Sequence, residues 1–329
     1  MLSSTDAEWA TVGIGHEPGD SFTEPTLARA ILGTADAAEV YNMLEAFCSA
    51  RLGSAVEDVL LFELSVGAAF GVRLADGRRV LVKSYPPNRP PEFLHAVHRI
   101  QSHLSRSGFP CPAPVAAHAP FGSGFATAEE FVDAGEYADA HDPAVRRESA
   151  GTLAWLVRLA GEVGDTDGIG RGWSRPPRGE LWPQPHNVLY DFPGTAPGSS
   201  WIEGIAAGAK STLDSNCDGL VVGHADWSSK HLQFEGLKPS VVYDWDSLRL
   251  DVEPAIAGGA AVTFPANRHL SVPKLPTPEE AWLFIQDYES VRGRPFTRRE
   301  RTVAASAAIY TLAYLARCEH AQAYFPADS

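Results

Sequence analysis

Cysteine is sparse. Cys48, Cys111, Cys217 and Cys318 stand singly in a chain of 329 residues, with no C-x-x-C pair and no nearby histidine ladder at metal spacing. Neither a disulfide framework nor a zinc site is encoded, and a reduced, cytoplasmic setting is expected. Basic residues are outnumbered: 27 Lys and Arg face 41 Asp and Glu, a formal net charge of −14. Such a field repels phosphate backbones and anionic lipid surfaces, so neither nucleic acid nor a membrane is expected as a partner, while cationic small molecules would be concentrated. Long apolar runs are missing as well. The longest, residues 303–316, is broken by Ser306, Tyr310 and Thr311 and falls short of the roughly 18 residues that a membrane span needs. The opening MLSSTDAEWATVGIG has neither the basic nor the apolar region of a secretory leader, and none is expected there. What is present is an ordinary globular composition, 44% hydrophobic and 21% charged. At this length one core has usually split, so two lobes around a cleft are expected.

The pattern changes along the chain. Residues 25–53 carry apolar positions at spacings of three and four, with Asp36 placed to cap and Gly53 to stop, which predicts two short helices. Residues 59–85 alternate instead, and Asp76-Gly77 between two alternating runs predicts a hairpin. One helix over 92–107, closed by Gly108, and a strand pair near 115–118 and 125–131 complete a small α+β lobe. Beyond Val132 long helices and Pro/Gly-rich loops take over, beginning with a helix over 142–159. Residues 164–199 hold little periodicity and several Trp and Pro, which reads as an ordered surface excursion. A helix near 202–213 precedes a strand-loop-strand unit, and the remainder is expected to be helical to about His320. The division is an N-terminal extension at 1–24, a small lobe at 25–132 and a larger lobe at 133–329.

Several short matches fail on context. Gly13-Ile14-Gly15 with Gly19 has no strand before it, Gly204–Ser211 lacks adjacent Gly and Lys and sits in a helical pattern, and Asp165-x-Asp167-Gly168 has Ile169 at its next ligand position. The informative unit is His224-Ala225-Asp226-Trp227-Ser228-Ser229-Lys230-His231, followed by Tyr243-Asp244-Trp245-Asp246. The apolar strand 220–222 delivers Asp226, and a strand over 241–243 delivers Asp244. Joined by a turn at Glu235-Gly236, the two strands would bring both carboxylates to one end. Two convergent acids suit phosphoryl transfer, one orienting a hydroxyl and the other holding a divalent cation on the phosphates; paired Asp at strand ends also serve as caps and turn residues.

These residues resemble the signature of the aminoglycoside phosphotransferase and choline kinase family, His-Gly-Asp, an Asn five residues after the Asp, then a hydrophobic strand ending in Ile-Asp-Phe or Ile-Asp-Trp. Here His224, Ala225 and Asp226 are followed by His231 in the Asn position and by Tyr243-Asp244-Trp245. Val80-Leu81-Val82-Lys83 resembles the family's third-strand Lys motif, and Phe109-Pro110-Cys111-Pro112 its Pro-x-Pro turn. The resemblance spans about 25–320 and implies a two-lobed, protein-kinase-like α+β fold with a small β-rich lobe and a larger helical one. It implies an ATP-dependent phosphotransferase, with Mg²⁺ or Mn²⁺, acting on a hydroxyl of a small-molecule substrate.

By the same resemblance, Asp226 orients the acceptor hydroxyl and receives its proton, and Asp244 holds the cation with His231 as a second ligand. Lys83 neutralises the α/β-phosphates, and Gly67 and Gly71 let backbone amides approach them. Backbone at Glu130 and Val132 meets adenine, between walls from Val82 and Phe131. Lys230 either touches the γ-phosphate or stands exposed. The departures are Ala225 for Gly, His231 for Asn, and no acid near Val97 or His98 to pair with Lys83, since Glu92 is the only acid on that helix. They define the alternative, a nucleotide-binding pseudokinase serving as a regulatory module. Glu129, Glu130, Asp133, Glu136, Asp139 and Asp142 fall within 122–145 with no Lys or Arg, which favours a cationic or amine-bearing acceptor such as an aminoglycoside, an amino sugar or choline. Trp173, Trp182 and Trp201 either stack on a sugar ring or pack within the protein.

Overall fold

The computed structural model describes residues 24–177, 179–185 and 190–324. Residues 1–23 of the N-terminal extension, with the glycines at 13, 15 and 19, lie outside the described residues; Glu24, its last residue, begins the first helix. The described residues separate into two compact units, one comprising those up to Ser102 together with Pro112–Asp133, the other His103–Cys111 together with those from Ala134 to Tyr324.

The first unit is a five-stranded antiparallel sheet in the order β1-β2-β3-β5-β4, built from β1 (Val56–Leu64), β2 (Ala68–Leu74), β3 (Arg79–Tyr85), β4 (Pro114–Phe121) and β5 (Gly124–Glu130). Gly77 turns β2 into β3 with φ +86°, a conformation that only glycine adopts cheaply. Two helices precede the sheet, α1 (Glu24–Leu32) and α2 (Ala37–Leu52). Asp36 accepts from the Glu39 amide to start α2, and Gly53 ends it at φ +71°. Leu44 and Phe47 of α2 pack with Phe70, Val72, Val80 and Val82 in one apolar cluster. Strand period two sends Leu81 and Lys83 to the opposite face, where α3 (Pro91–Arg106) contributes Gln101. Val82 is therefore core, wholly buried beneath the helices, and cannot serve as the adenine wall expected of it.

The second unit is mainly helical: α4 (Pro143–Gly161), α5 (Ser200–Asp214), α6 (Glu253–Thr263), α7 (Pro278–Arg292) and α8 (Arg298–Ala323). Apolar faces of α5, α6 and α8 share a core that includes Ile202, Leu213, Val303 and Tyr310. Two short ladders carry the site: β6 (Leu220–His224) pairs antiparallel with β9 (Leu248–Val252), and β7 (Leu232–Glu235) pairs with β8 (Lys238–Val242). The expectation of a single strand-turn-strand unit is corrected by this pairing. The partner of β6 is β9, in a stretch read as helical, where Leu248-Arg249-Leu250-Asp251-Val252 alternates over too few residues to stand out.

The described part of 164–199 forms no helix, but it is packed rather than loose. Trp182 lies 5.5 Å from Tyr310 and 6.1 Å from Tyr314, ring to ring, and Trp173 lies 5.9 Å from Tyr314. Arg317 of α8, fully buried, donates to Thr195 Oγ1 at 3.0 Å and to the Phe192 carbonyl. Trp201, on α5, is 63% exposed.

Candidate active site

The acidic cluster belongs to the second unit. β6 ends at His224, which is 1% exposed, and its Nε2 donates to the Tyr243 carbonyl at 3.2 Å, tying the strand end to the residue before Asp244. Burial pushes the His224 imidazole down to about 4, against the pull of Asp244 and Asp226, so the ring is neutral and acts as a strut. Trp227 and Trp245 flank it, with ring centroids at 5.6 and 6.4 Å. The loop beyond is anchored from several sides. Trp227 Nε1 donates to Ser149 Oγ of α4 at 3.1 Å, Asn267 Nδ2 donates to the Ser229 carbonyl at 3.2 Å, and the Lys230 amide donates to the Ala266 carbonyl at 3.0 Å.

Asp226 is thus held at a fixed strand end. Lys230 Nζ lies 3.0 Å from its Oδ2, and His231 Nε2 lies 3.0 Å from the same oxygen. Burial works to raise this carboxyl's pKa, but the Lys230 charge and the His231 hydrogen bond outweigh it and hold it well below the usual carboxylate range. Burial likewise works against the Lys230 ammonium, and Asp226 prevails and raises it. Both partners engage Oδ2.

Asp244 is the single non-glycine residue with positive φ among the described residues, at φ +65°. A left-handed aspartate is uncommon and is retained only where its surroundings over-determine it. Here Ser247 Oγ donates to Asp244 Oδ2 at 2.5 Å, the Ser247 amide donates to the Asp244 carbonyl at 3.0 Å, and the Ala225 amide donates to the Ser247 carbonyl at 2.9 Å. Ser247 therefore links the two acidic loops. It lies three residues past Asp244, just beyond the motif, and only its hydroxyl's capacity for such local bonds hinted at it.

Asp226, His231 and Asp244 offer ligand atoms that all lie within 4.8 Å of one another, and His231 Nε2 is 3.7 Å from Asp244 Oδ2. Two carboxylates and an imidazole fit a divalent cation, the carboxylates suiting a hard ion and the imidazole a softer one. The expected convergence of the acids is present, by a different strand pairing from the one expected.

In the first unit, Lys83 Nζ lies 3.3 Å from Glu129 Oε1, with side-chain exposures of 15% and 6%. Glu129 Oε2 accepts from Gln101 Nε2 at 2.7 Å, and the same nitrogen donates to the Pro112 carbonyl at 2.9 Å. Lys83 does have an acidic partner, and the expectation that it lacks one is corrected. The carboxylate comes from β5, and α3 supplies an amide.

Gly67 sits in the β1–β2 turn, where an added Cβ would meet the Ser84 carbonyl at 2.7 Å. Gly71, read as part of that loop, lies inside β2 opposite Leu81. Its strand position removes it from the turn, and it instead admits Phe131, whose ring would stand 3.0 Å from an added Cβ. Arg79 covers the same ring at 4.7 Å. Glu130 closes β5, its carboxylate accepting from the Ala113 amide at 3.2 Å, and Val132 follows outside the ladder.

The acidic run is largely occupied by local bonds. Besides Glu129 and Glu130, Asp133 pairs with Arg79 at 3.2 Å, Asp139 accepts from the His141 amide at 2.9 Å and Asp142 caps α4.

A family model described as phosphotransferase enzyme family matches residues 63–252. No curated protein matches the sequence. Among solved structures, an amicoumacin kinase in complex with AMP-PNP, Ca²⁺ and Ami is similar at TM-score 0.60 and 11% identity, covering 87% of this chain and 94% of that one. A macrolide 2'-phosphotransferase type I follows at TM-score 0.52 and 17% identity, covering 91% and 99%. An aminoglycoside phosphotransferase from Alicyclobacillus acidocaldarius gives TM-score 0.51 and 12% identity, covering 85% and 87%. At these identities the likeness is one of fold.

Proposed function

The chain belongs to the phosphotransferase enzyme family, and from that premise we propose that it transfers the γ-phosphoryl group of ATP to a hydroxyl of a small molecule. The observation that supports this most is the meeting of Asp226, His231 and Asp244 at the ends of β6 and β8, with Lys230 on the same carboxylate. Acids alone would repel a triphosphate; acids matched by a lysine and able to hold a cation receive one.

The first unit is assigned to the nucleotide. Lys83, fixed by Glu129, neutralises the α/β-phosphates, the Gly67 turn lets backbone approach them, and backbone at Glu130 and Val132 meets the adenine. The second unit is assigned to the acceptor. Asp226 Oδ1 accepts the acceptor's O–H, aligning an oxygen lone pair with the γ-phosphorus. As the O–P bond forms and the β–γ bridge breaks, the hydroxyl proton passes to Asp226, and the bridge oxygen leaves with ADP. A carboxylate held well below its usual range is a weak base, which suits a late proton transfer in a loose transition state. Asp244, oriented by Ser247, and His231 would hold Mg²⁺ or Mn²⁺, which supplies neutralisation of charge on the β- and γ-phosphates. Lys230 keeps Asp226 ionised.

The pseudokinase alternative loses one of its two premises, because Lys83 is paired. The finer expectation of an amine-bearing acceptor rested on the acidic run, most of which is engaged locally. A coupled kinase assay with Mg-ATP against aminoglycosides, amino sugars and neutral alcohols, with Asp226→Asn as control, tests the reading. No phosphate transfer to any acceptor, together with no binding of Mg-ATP, defeats it.

A further inference from the structure

A cavity of about 80 Å³ opens beside Asp226, wholly within the second unit. Its wall is formed by β6, β9, α6, α8 and the 172–174 segment. The space exists because α6 presents Ala255, Gly259 and Ala260 where α8 presents Ala307 and Thr311, small residues on both sides. At Gly259 an added Cβ would stand 3.4 Å from Thr311 Oγ1, so that gap is one methyl deep. An engineered cavity of roughly 150 Å³ holds benzene, so this one takes the hydroxyl-bearing end of an acceptor rather than a whole polycyclic molecule.

The chemistry of the wall is one-sided. Trp173, Tyr314, Ile256 and Leu315 supply apolar surface. Besides Asp226, the acid in the wall is Asp251, and it is fully engaged: Arg175 Nε lies 2.6 Å from its Oδ1, Ser174 Oγ donates to its Oδ2 at 2.5 Å, and the Val252 amide donates to Oδ1 at 2.8 Å. Arg175 is itself buried and also donates to the carbonyls of Leu213 and Asn216, so the pair is fixed. Asp226 is matched by Lys230. Arg249, also in the wall, adds a further positive charge and donates to the Asp246 and Leu248 carbonyls. A protonated amine entering here would lose water and meet no uncompensated carboxylate to offset that loss.

Resting on the reading of Asp226 as the group that meets the acceptor hydroxyl, we infer that the reacting end of the acceptor is an uncharged alcohol with an apolar flank, seated in the cavity that Trp173, Tyr314, Ile256 and Thr311 line. Selectivity against amines near the reacting hydroxyl is then built into this wall. Thr311, half-buried at the α6–α8 seam, is a specificity-determining position.

Matched alcohols test this. Phosphate transfer from Mg-ATP is measured to phenethyl alcohol against phenylglycinol, and to cyclohexanol against aminocyclohexanol, each amine being charged at neutral pH. The expected result is that the neutral member of each pair is preferred by at least about tenfold in kcat/KM, a factor worth about 1.4 kcal/mol. Thr311→Ile and Gly259→Ala, which fill the space, are expected to raise KM for the alcohols with KM for Mg-ATP unchanged; Gly259→Ala also raises helix propensity, so its effect cannot be ascribed to unfolding. Thr311→Asp, adding an unmatched carboxylate, is expected to shift preference toward the amines. Equal or better use of the amines by the unaltered protein overturns the inference, as does unchanged alcohol KM in both filling variants. Transfer to none of the four with Mg-ATP binding intact overturns it too, while leaving the phosphotransferase reading in place; loss of Mg-ATP binding by the unaltered protein removes that reading itself.

Discussion

Lys83 on β3 and Glu129 on β5 form an ion contact of 3.3 Å across adjacent strands of one sheet, with Gln101 of α3 donating to the far oxygen of the same carboxylate. Position explains the contact. Leu81 faces Glu129 and Lys83 faces Thr127 in the ladder, so Lys83 and Glu129 are diagonal neighbours on one face, within reach of a long side chain. Because both partners ride on hydrogen-bonded strands, the pairing does not depend on where a helix swings.

Glu129→Gln is therefore expected to weaken Mg-ATP use by about ten- to a hundredfold in kcat/KM, the range for losing a hydrogen bond to a charged group. The double variant Gln101→Glu/Glu129→Gln returns a carboxylate from the helix side and is expected to recover part of that loss. Unchanged kinetics in a stably folded Glu129→Gln protein would show that the pair only holds the sheet together.

Asp226 and Asp244 are expected to fail differently. Asp226→Asn removes the group that orients the hydroxyl and takes its proton, so kcat is expected to fall by roughly a hundred- to ten-thousandfold with Mg-ATP affinity retained. Asp244→Ala is expected to weaken metal-dependent nucleotide binding as well. Titration of both variants with Mg-ATP distinguishes them, and matching affinities would erase the separate roles.

A third expectation concerns stability. His141 Nδ1 lies 2.8 Å from Glu280 Oε1 and its Nε2 3.0 Å from the Pro273 carbonyl. Both partners only accept, so both nitrogens donate only in the imidazolium form. Burial works to lower its pKa, but the Pro273 and Glu280 bonds outweigh it and raise it. Burial works to raise Glu280, and the Thr277 amide and His141 outweigh it and lower it. A raised histidine contributes stability that is full below its unfolded pKa of about 6.5 and is lost as pH climbs through the folded value; a lowered glutamate contributes above about 4.3 and loses it as pH falls. The Tm difference between the protein and His141→Ala is thus expected to be widest between roughly pH 4.5 and 6.5 and to shrink above neutrality. A difference independent of pH would uncouple the pair.

Much of this was legible in the residues. Asp36, Gly53 and Asp76-Gly77 marked helix ends and a hairpin because capping and left-handed turns demand few residue types. Asp226 and Asp244 stood out because a loop directly after a short apolar strand is where a scaffold exposes catalytic groups, although caps and turns use the same residue type. The pairing of β6 with β9 was not legible, since five-residue strands carry little periodicity and the partner is chosen by the surrounding helices. Glu129 was hidden within a run of acids read as favouring a cationic acceptor. Strand period two could have placed it on the Lys83 face, but only once the β3–β5 pairing was known. The Asp251–Arg175 pair joins residues 76 apart, and no local pattern announces such a contact.

His231 carries the last expectation. Its Nε2 faces two carboxylates, Asp226 Oδ2 at 3.0 Å and Asp244 Oδ2 at 3.7 Å. Donating a proton to Asp226 and giving a lone pair to a cation are exclusive uses of one nitrogen, so cation binding through it requires the N–H to be surrendered. An imidazole in the coordination sphere favours Mn²⁺ over Mg²⁺, because the softer ion gains more from nitrogen. The unaltered protein is accordingly expected to turn over at least as fast with Mn²⁺ as with Mg²⁺. In His231→Asn an amide oxygen replaces the nitrogen, and the ratio of the Mn²⁺ rate to the Mg²⁺ rate is expected to fall. Measuring both rates at saturating metal, where affinity differences drop out, isolates the effect on turnover. A ratio identical in the two proteins would confine His231 to its hydrogen bond with Asp226 and leave Asp244 as the cation's protein ligand.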